Sequence, residues 1–546
     1  MRFIALAIGV AVTMGVGEMV GEAFGEVVEP WWNNAVYYRM LVDSFKDGDG
    51  DGLGDLIGAT KQVSYVRAVG ADAVILSALS ARSTDCTQPG TVDFSQIDSR
   101  YGNMDMLTNF LNKAHKLELQ VVITLQFEAI SIASEWFKLS AERKSGYEDI
   151  IHWKEAKQGE MATDTGMEWT WSKERKAYYR VKNNEALLNL CSENTAAALS
   201  EVQCNWLKSG IDGVMLKIPY TEDFNCSIKM NRILYADALA CARSANLKTP
   251  VIISETTVEL ASGIYGVDGA NGVICNTLTA PTKPTAPDLA VAIHAATLYS
   301  PQDTAVTWQT STSGGTRIMS RYGSDMIDAI NMLALILPGS AVIQQGDELG
   351  AADTLLEWTT NSNCWPLVGK GSFAPFPWDD TPGGGFTSGQ PWLPLAPNYR
   401  YANAKTEFAN DLSHVGVVRV AAAMRKSPAN GPHTEIKRLG GAIAVLKWGG
   451  AGSLLLLINL SHEQTDVQLS KIPGLPPTMT VAVSSGGSTF SNGFHVTKDR
   501  GARLGPGEAV LLAGPPRHCS GPGPVDKIAN KLSEGWQKIN KYFSTI

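Results

Sequence analysis

Residues 199–217, LSEVQCNWLKSGIDGVMLK, carry two periodicities in immediate succession. Leu199, Val202 and Trp206 fall on one face of a helix, and Gly210 sits where a C-cap glycine belongs. The apolar run Ile211 to Leu216 follows at once as a strand. A helix feeding directly into a β run is one step of a parallel βα array. Working outward, eight such runs are found: Val36 to Met40, Ala73 to Leu76, Val121 to Leu125, Ile211 to Leu216, Val251 to Ser254, Gly272 to Cys275, Thr304 to Trp308, and Ala341 to Ile343. Eight is the closure number of a (β/α)8 barrel, so the fold class expected is α/β, a TIM barrel.

The gap between the third and fourth runs exceeds what one helix needs, which predicts an inserted subdomain over residues 131–187 inside a barrel spanning 26–409. After about residue 410 the pattern becomes apolar β runs separated by Gly, Pro and Ser turns, as expected of a C-terminal all-β sandwich over 410–514. Residues 515–524 read as a Pro/Gly linker. Beyond it Ile528, Leu532, Trp536, Ile539 and Phe543 recur at helical spacing, giving a helix over 525–546 with one apolar face. That helix is expected to fold back onto the body, with docking of a protein partner as the alternative.

The chain has 546 residues, 44% hydrophobic, with a formal net charge of -8. That balance and the absence of a basic run argue against a nucleic-acid or anionic-lipid footprint. Arg2, the apolar run Phe3 to Val16 and the small residues that follow predict a signal peptide over residues 1–25, and hence secretion. Glu18 and Glu22 break the run short of the roughly 20 apolar residues a membrane span requires, so no transmembrane anchor is expected. Eight cysteines fit an oxidising compartment, with connectivity left open. Asn225 and Asn459 each open an N-x-S sequon.

The chain carries, in order, the segments Trp31-Trp32, Ser44-Phe45-Lys46-Asp47, Gly52-Leu53-Gly54-Asp55, Pro338-Gly339, Gly346-Asp347-Glu348-Leu349-Gly350, Pro375-Phe376-Pro377-Trp378-Asp379-Asp380, Gly385-Phe386-Thr387 and Pro391-Trp392-Leu393-Pro394. Together these resemble the maltase-like branch of the α-amylase family, glycoside hydrolase family 13. The resemblance implies a retaining glycosidase site, which needs two carboxyl groups roughly 5 to 5.5 Å apart. Glu255, after the fifth run, matches the general acid. Lys217 stands at the nucleophile position, and Met215, on the same strand face, at that of the arginine that orients the nucleophile. Ala129 and Ser313 occupy histidine positions. Gly314 replaces the transition-state aspartate, and Gly90 falls where a sugar-binding aspartate belongs. Of the seven polar groups the family uses at the cleavage subsite, Glu255 alone survives. An ammonium can neither attack an anomeric carbon while protonated nor stabilise an oxocarbenium ion. Pairing of Glu255 with Lys217 is expected instead. Asp212 should point away from the pocket, whereas Glu222 and Asp223, in the loop after the fourth run, remain possible substitutes.

The acidic, glycine-spaced loop Asp47 to Asp55 can curl around a hard cation. The resemblance implies a structural Ca2+ held by Asp47, Asp49, Asp51, Asp55 and the carbonyl of Leu53. The function expected is a secreted, catalytically inactive maltase-like protein with a binding, structural or storage role, carbohydrate binding being weak or absent. Two alternatives stand beside it: the heavy subunit of a heteromeric amino-acid transporter, which the same segments also resemble, and a weak or altered α-glucosidase using Glu255.

Overall fold

The computed structural model describes residues 30–155, 157, 168–219, 224–255, 269–298, 304–359 and 371–517. The expected signal peptide and the 525–546 helix lie outside them, as do Glu222 and Asp223. Eight parallel strands close a barrel: β1 (Val36–Met40), β2 (Ala73–Leu76), β3 (Gln120–Gln126), β4 (Gly213–Lys217), β5 (Val251–Glu255), β6 (Gly272–Cys275), β7 (Ala305–Gln309) and β8 (Ser340–Gln344), in consecutive order around the ring. The two-residue alternation of a strand divides their side chains. Tyr37, Ile75, Val122, Met215, Ile253, Ile274 and Val342 fill the lumen as one apolar cluster, while Val36, Tyr38, Val74, Ile123 and Val214 face the surrounding helices.

The helix–strand unit that opened the sequence reading is built as its residues dictate. The helix Glu193–Lys208 starts on Ser192, whose hydroxyl accepts from the Thr195 amide. It stops at Gly210, which takes φ +98°, a conformation costly for any residue with a Cβ. Leu199, Val202 and Trp206 are buried against the barrel. Disulfides Cys191–Cys226 and Cys204–Cys241 tie this helix and its leading turn to the next one, Phe224–Ser244. Cys86 is also disulfide-bonded, and Cys275 is a buried thiol.

Between β3 and β4 the inserted segment forms a five-stranded antiparallel sheet from Ala129–Ile130, Trp153–Lys154, Glu168–Ser172, Ala177–Lys182 and Glu185–Leu187. At the C-terminal end six antiparallel strands make one sheet, β9 (His433–Leu439), β10 (Ala442–Trp448), β11 (Ser453–Asn459), β12 (Thr478–Ser484), β13 (His495–Thr497) and β14 (Ala509–Gly514). Its second layer is small, a two-stranded ribbon of Thr465–Val467 and Ala502–Leu504. Leu446, Leu455, Leu457 and Leu512 pack beneath that ribbon. Val445, Leu456, Ile458 and Leu511 face the barrel's helices instead. The helix His414–Arg425 precedes the sheet and packs on the barrel helix Ile327–Ile336. No helix among the described residues is long and apolar enough to cross a membrane.

Candidate active site

In a barrel of this kind the chemistry belongs at the C-terminal ends of the strands. Lys217 and Glu255 both end their strands there and are register neighbours across the β4–β5 ladder. They do not pair as expected. Lys217 forms no ion pair among the described residues; the cation beside Glu255 is Arg39, with Nη2 3.6 Å from Oε1. β1 and β5 are four strands apart in either direction round the ring. The Arg39 side chain therefore crosses the lumen. Arg39 Nη1 donates to Gln309 Oε1 at 2.8 Å and Nη2 lies 3.5 Å from Met215 Sδ. Gln309 in turn donates through Nε2 to Asn276 Oδ1. Arg39 is 1% exposed.

The physical reason for this choice of partner lies in the two cations. A guanidinium is planar, weakly hydrated and able to bond two partners at once, so it tolerates the closed lumen better than a compact, strongly hydrated ammonium. Lys217 at the strand end is only half-buried. Arg39, Lys217 and Glu255 thus put two cations and one carboxylate where glycoside cleavage calls for two carboxylates. Arg39 Nε, Glu255 Oε2 and both amide atoms of Gln344, the register partner of Arg39, are buried without a protein partner.

The other degenerate positions are filled as well as changed. Gly90 takes φ +108°, and a Cβ there would come within 2.8 Å of the Glu185 carboxylate, so a larger residue would need both a costly backbone conformation and a shift of Glu185. A Cβ on Gly314 would meet the Phe373 ring at 3.1 Å. Ala129 is absorbed into the subdomain sheet opposite Leu187. Ser313 lies in the turn after β7, half-buried. Asp212 is turned away, at the N-terminal end of β4, where its Oδ2 takes the Val121 amide at 2.8 Å and His115 Nε2 at 2.7 Å.

The acidic loop follows β1 and is tied to Phe386 and Thr387. Carboxylate oxygens of Asp47, Asp49 and Asp55 converge within 4.8 Å of one another, an all-oxygen set suited to a hard cation such as Ca2+. Burial pushes Asp47 up, but hydrogen bonds from Thr387 and the amides of Gly50, Gly52 and Asp49 outweigh it and hold the carboxyl low. Asp51 does not join the cluster: it is exposed, and its Oδ1 accepts from the Leu53 amide at 2.7 Å. The expected sequon at Asn459 also needs correcting. Asn459 is fully buried and its Nδ2 donates to the carbonyls of Glu463, Leu504 and Gly505, so a glycan there is incompatible with this packing. Asn225 is exposed.

Arg39 was missed by the sequence reading. The signal was present, since an arginine in mid-strand at an inward position of a barrel demands a buried anion.

The architecture defines the class: a closed (β/α)8 barrel with an excursion after its third strand and a C-terminal β domain. A family model described as the catalytic domain of alpha amylase matches residues 39–219 and 277–430. The chain belongs to the alpha-amylase family. Maltase 1 of Drosophila virilis is 27% identical over 521 residues, spanning 83% of this chain and 82% of that protein. Salivary alpha-glucosidase of Aedes aegypti is 23% identical over 555 residues, spanning 88% and 95%. Among solved structures, an alpha-glucosyl transfer enzyme, XgtA, superposes with TM-score 0.74 at 21% identity, covering 89% of this chain and all of that one. Trehalulose synthase MutB from Pseudomonas mesoacidophila MX-45 gives 0.73 at 18% identity, covering 89% and 99%. These two likenesses concern the fold.

Proposed function

We propose that this protein is a secreted, non-hydrolytic member of the alpha-amylase family, kept for a binding, structural or storage role. The observation that carries the reading is the contact of Arg39 with Glu255 across the lumen, beside Lys217 at the end of the neighbouring strand. A retaining mechanism needs a nucleophilic carboxylate on one side of the sugar and a proton-donating one on the other. Here, of the two positions that resemble the family's catalytic carboxylates, Glu255 alone carries one, and a guanidinium occupies the space next to it. Positive charge developing at an anomeric carbon would meet two cations. Secretion is supported by the disulfides, which form in oxidising compartments, and by similarity to salivary alpha-glucosidases. We propose that the acidic loop holds a structural Ca2+ through Asp47, Asp49 and Asp55, and that Asn225 carries the glycan.

A second reading, a weak α-glucosidase using Glu255, is favoured by one observation: Glu255 keeps Oε2 without a hydrogen-bond partner among the described residues. Turnover of an aryl α-glucoside by the purified protein separates the two, with calorimetry against maltose alongside. The proposed function expects no turnover above that of Glu255→Gln. A rate that vanishes in Glu255→Gln establishes the second reading.

A further inference from the structure

The end of the barrel opposite the mouth holds a cleft of about 430 Å³, within the range of small-molecule sites. It is built from residues that immediately precede strands. Trp31 and Trp32 lead into β1, Gln120 opens β3, Asp212 precedes β4, and Lys248 lies just before β5. His115, near the end of the helix Met104–Lys116, and Thr249 add to the polar lining, and the rest is mainly apolar. Five residues of strand separate Asp212 from Lys217, so the cleft is roughly 16 Å from the mouth.

Conservative packing would spend the polar groups here, and it does not. Both bonds to the Asp212 carboxylate fall on Oδ2, where the Val121 amide and His115 hold it in place. Oδ1 has no hydrogen bond among the described residues. Neither Trp31 nor Trp32 has a partner for its indole N–H among them, and both rings are half-buried, so these donors stay open to a ligand or to solvent. The two rings stand edge to face, 5.8 Å between centroids, and Trp31 is braced on Tyr37 at 5.9 Å. A fixed acceptor, indole donors, an ammonium and an amide thus ring an apolar and aromatic floor. The charges oppose one another, Lys248 against Asp212, so neither an anion nor a cation is singled out.

We propose that this cleft binds a small neutral ring with one apolar face and hydroxyls along its edge, a pyranose. The apolar face lies on the tryptophans, hydroxyls donate to Asp212 Oδ1, and ring or hydroxyl oxygens accept from the indole N–H groups and Lys248. The site does no chemistry and is independent of the mouth.

Titration of the full-length protein with methyl α-glucoside, followed by tryptophan fluorescence and by calorimetry, tests this. The expected result is saturable binding, weakened at least tenfold by Trp32→Ala and by Asp212→Asn, and weaker for glucuronate and glucosamine than for the neutral sugar. Lys248→Ala, an exposed substitution that leaves the fold intact, should weaken binding severalfold, which keeps the test decisive if Trp32→Ala fails to fold. Lys217→Met should leave binding unchanged. The proposal is overturned if no saturable binding is seen, or if Asp212→Asn and Lys248→Ala bind as well as the parent. Binding abolished by Lys217→Met overturns it too by placing the sugar at the mouth, an outcome distinct from any measured turnover.

Discussion

Arg39 on β1 and Glu255 on β5 face each other across the barrel lumen, Nη2 and Oε1 3.6 Å apart. Removing one partner of a buried pair leaves an uncompensated charge, which costs about 3–5 kcal/mol. Arg39→Met is expected to destabilise the protein by that order, and adding Glu255→Gln to recover most of it. Urea unfolding of the four corners of the cycle measures the coupling. A coupling below about 0.5 kcal/mol would show that the pair is geometric only.

Lys217→Asp returns a carboxylate to the end of β4 but leaves Arg39 across the lumen and Met215, Ala129, Ser313 and Gly314 unchanged. No gain of aryl α-glucoside turnover is expected from this single change. Measurable activity in the variant would mean that the rest of the mouth is still competent.

Stability should fall as pH rises from about 5 to 8. Glu348 is fully buried, with Tyr38 and Tyr65 hydroxyls each donating to Oε1 at 2.8 Å. Burial outweighs these bonds and pushes its carboxyl from 4.5 up to about 7. The folded protein then holds this proton to higher pH than the unfolded chain does. Its contribution is full below about pH 4.5 and is lost by about pH 7, on the order of 3 kcal/mol. His414 acts in the same direction: burial pulls it down, but the hydrogen bond and charge of Asp328 prevail and raise it. Denaturation midpoints across this range check the slope, and Glu348→Gln should flatten it. A midpoint that climbs with pH would contradict the assignment.

Calcium should raise the melting temperature by several degrees, since an ion at 100 times its dissociation constant adds about 2.7 kcal/mol. Asp47→Asn and Asp49→Asn should abolish the shift, and Asp51→Asn should leave most of it. Equal losses at all three would restore Asp51 to the ligand set.

Glycan mapping of the protein expressed through a eukaryotic secretory pathway should find Asn225 modified and Asn459 bare. Occupancy at Asn459 would require β11 to be built differently, because its amide already serves three carbonyls there.

The backbone plan was legible because it rests on local periodicity. Val36–Met40, Ala73–Leu76 and Gly272–Cys275 match their apolar runs residue for residue, and Gly210 marks its helix end through a positive φ that only a glycine adopts cheaply. The site was half legible. Alternation placed Met215, Lys217 and Glu255 on one face and sent Asp212 elsewhere, but the partner of Glu255 comes from the opposite wall, more than 200 residues earlier in the chain. The two catalytic positions implied by the resemblance favoured Lys217, and only closure of the ring brings Arg39 into reach. The burial of Asn459 and the position of Asp51 outside the converging carboxylates were hidden for a related reason. Burial and local hydrogen bonding decide whether a side chain is available, and neither follows from a three-residue pattern or from spacing along a loop.

Glucose release from maltose and sucrose by the purified protein, measured beside Glu255→Gln, bears most directly on the account. It predicts equal, blank-level rates for the two proteins. Release by the parent that disappears in Glu255→Gln would contradict it.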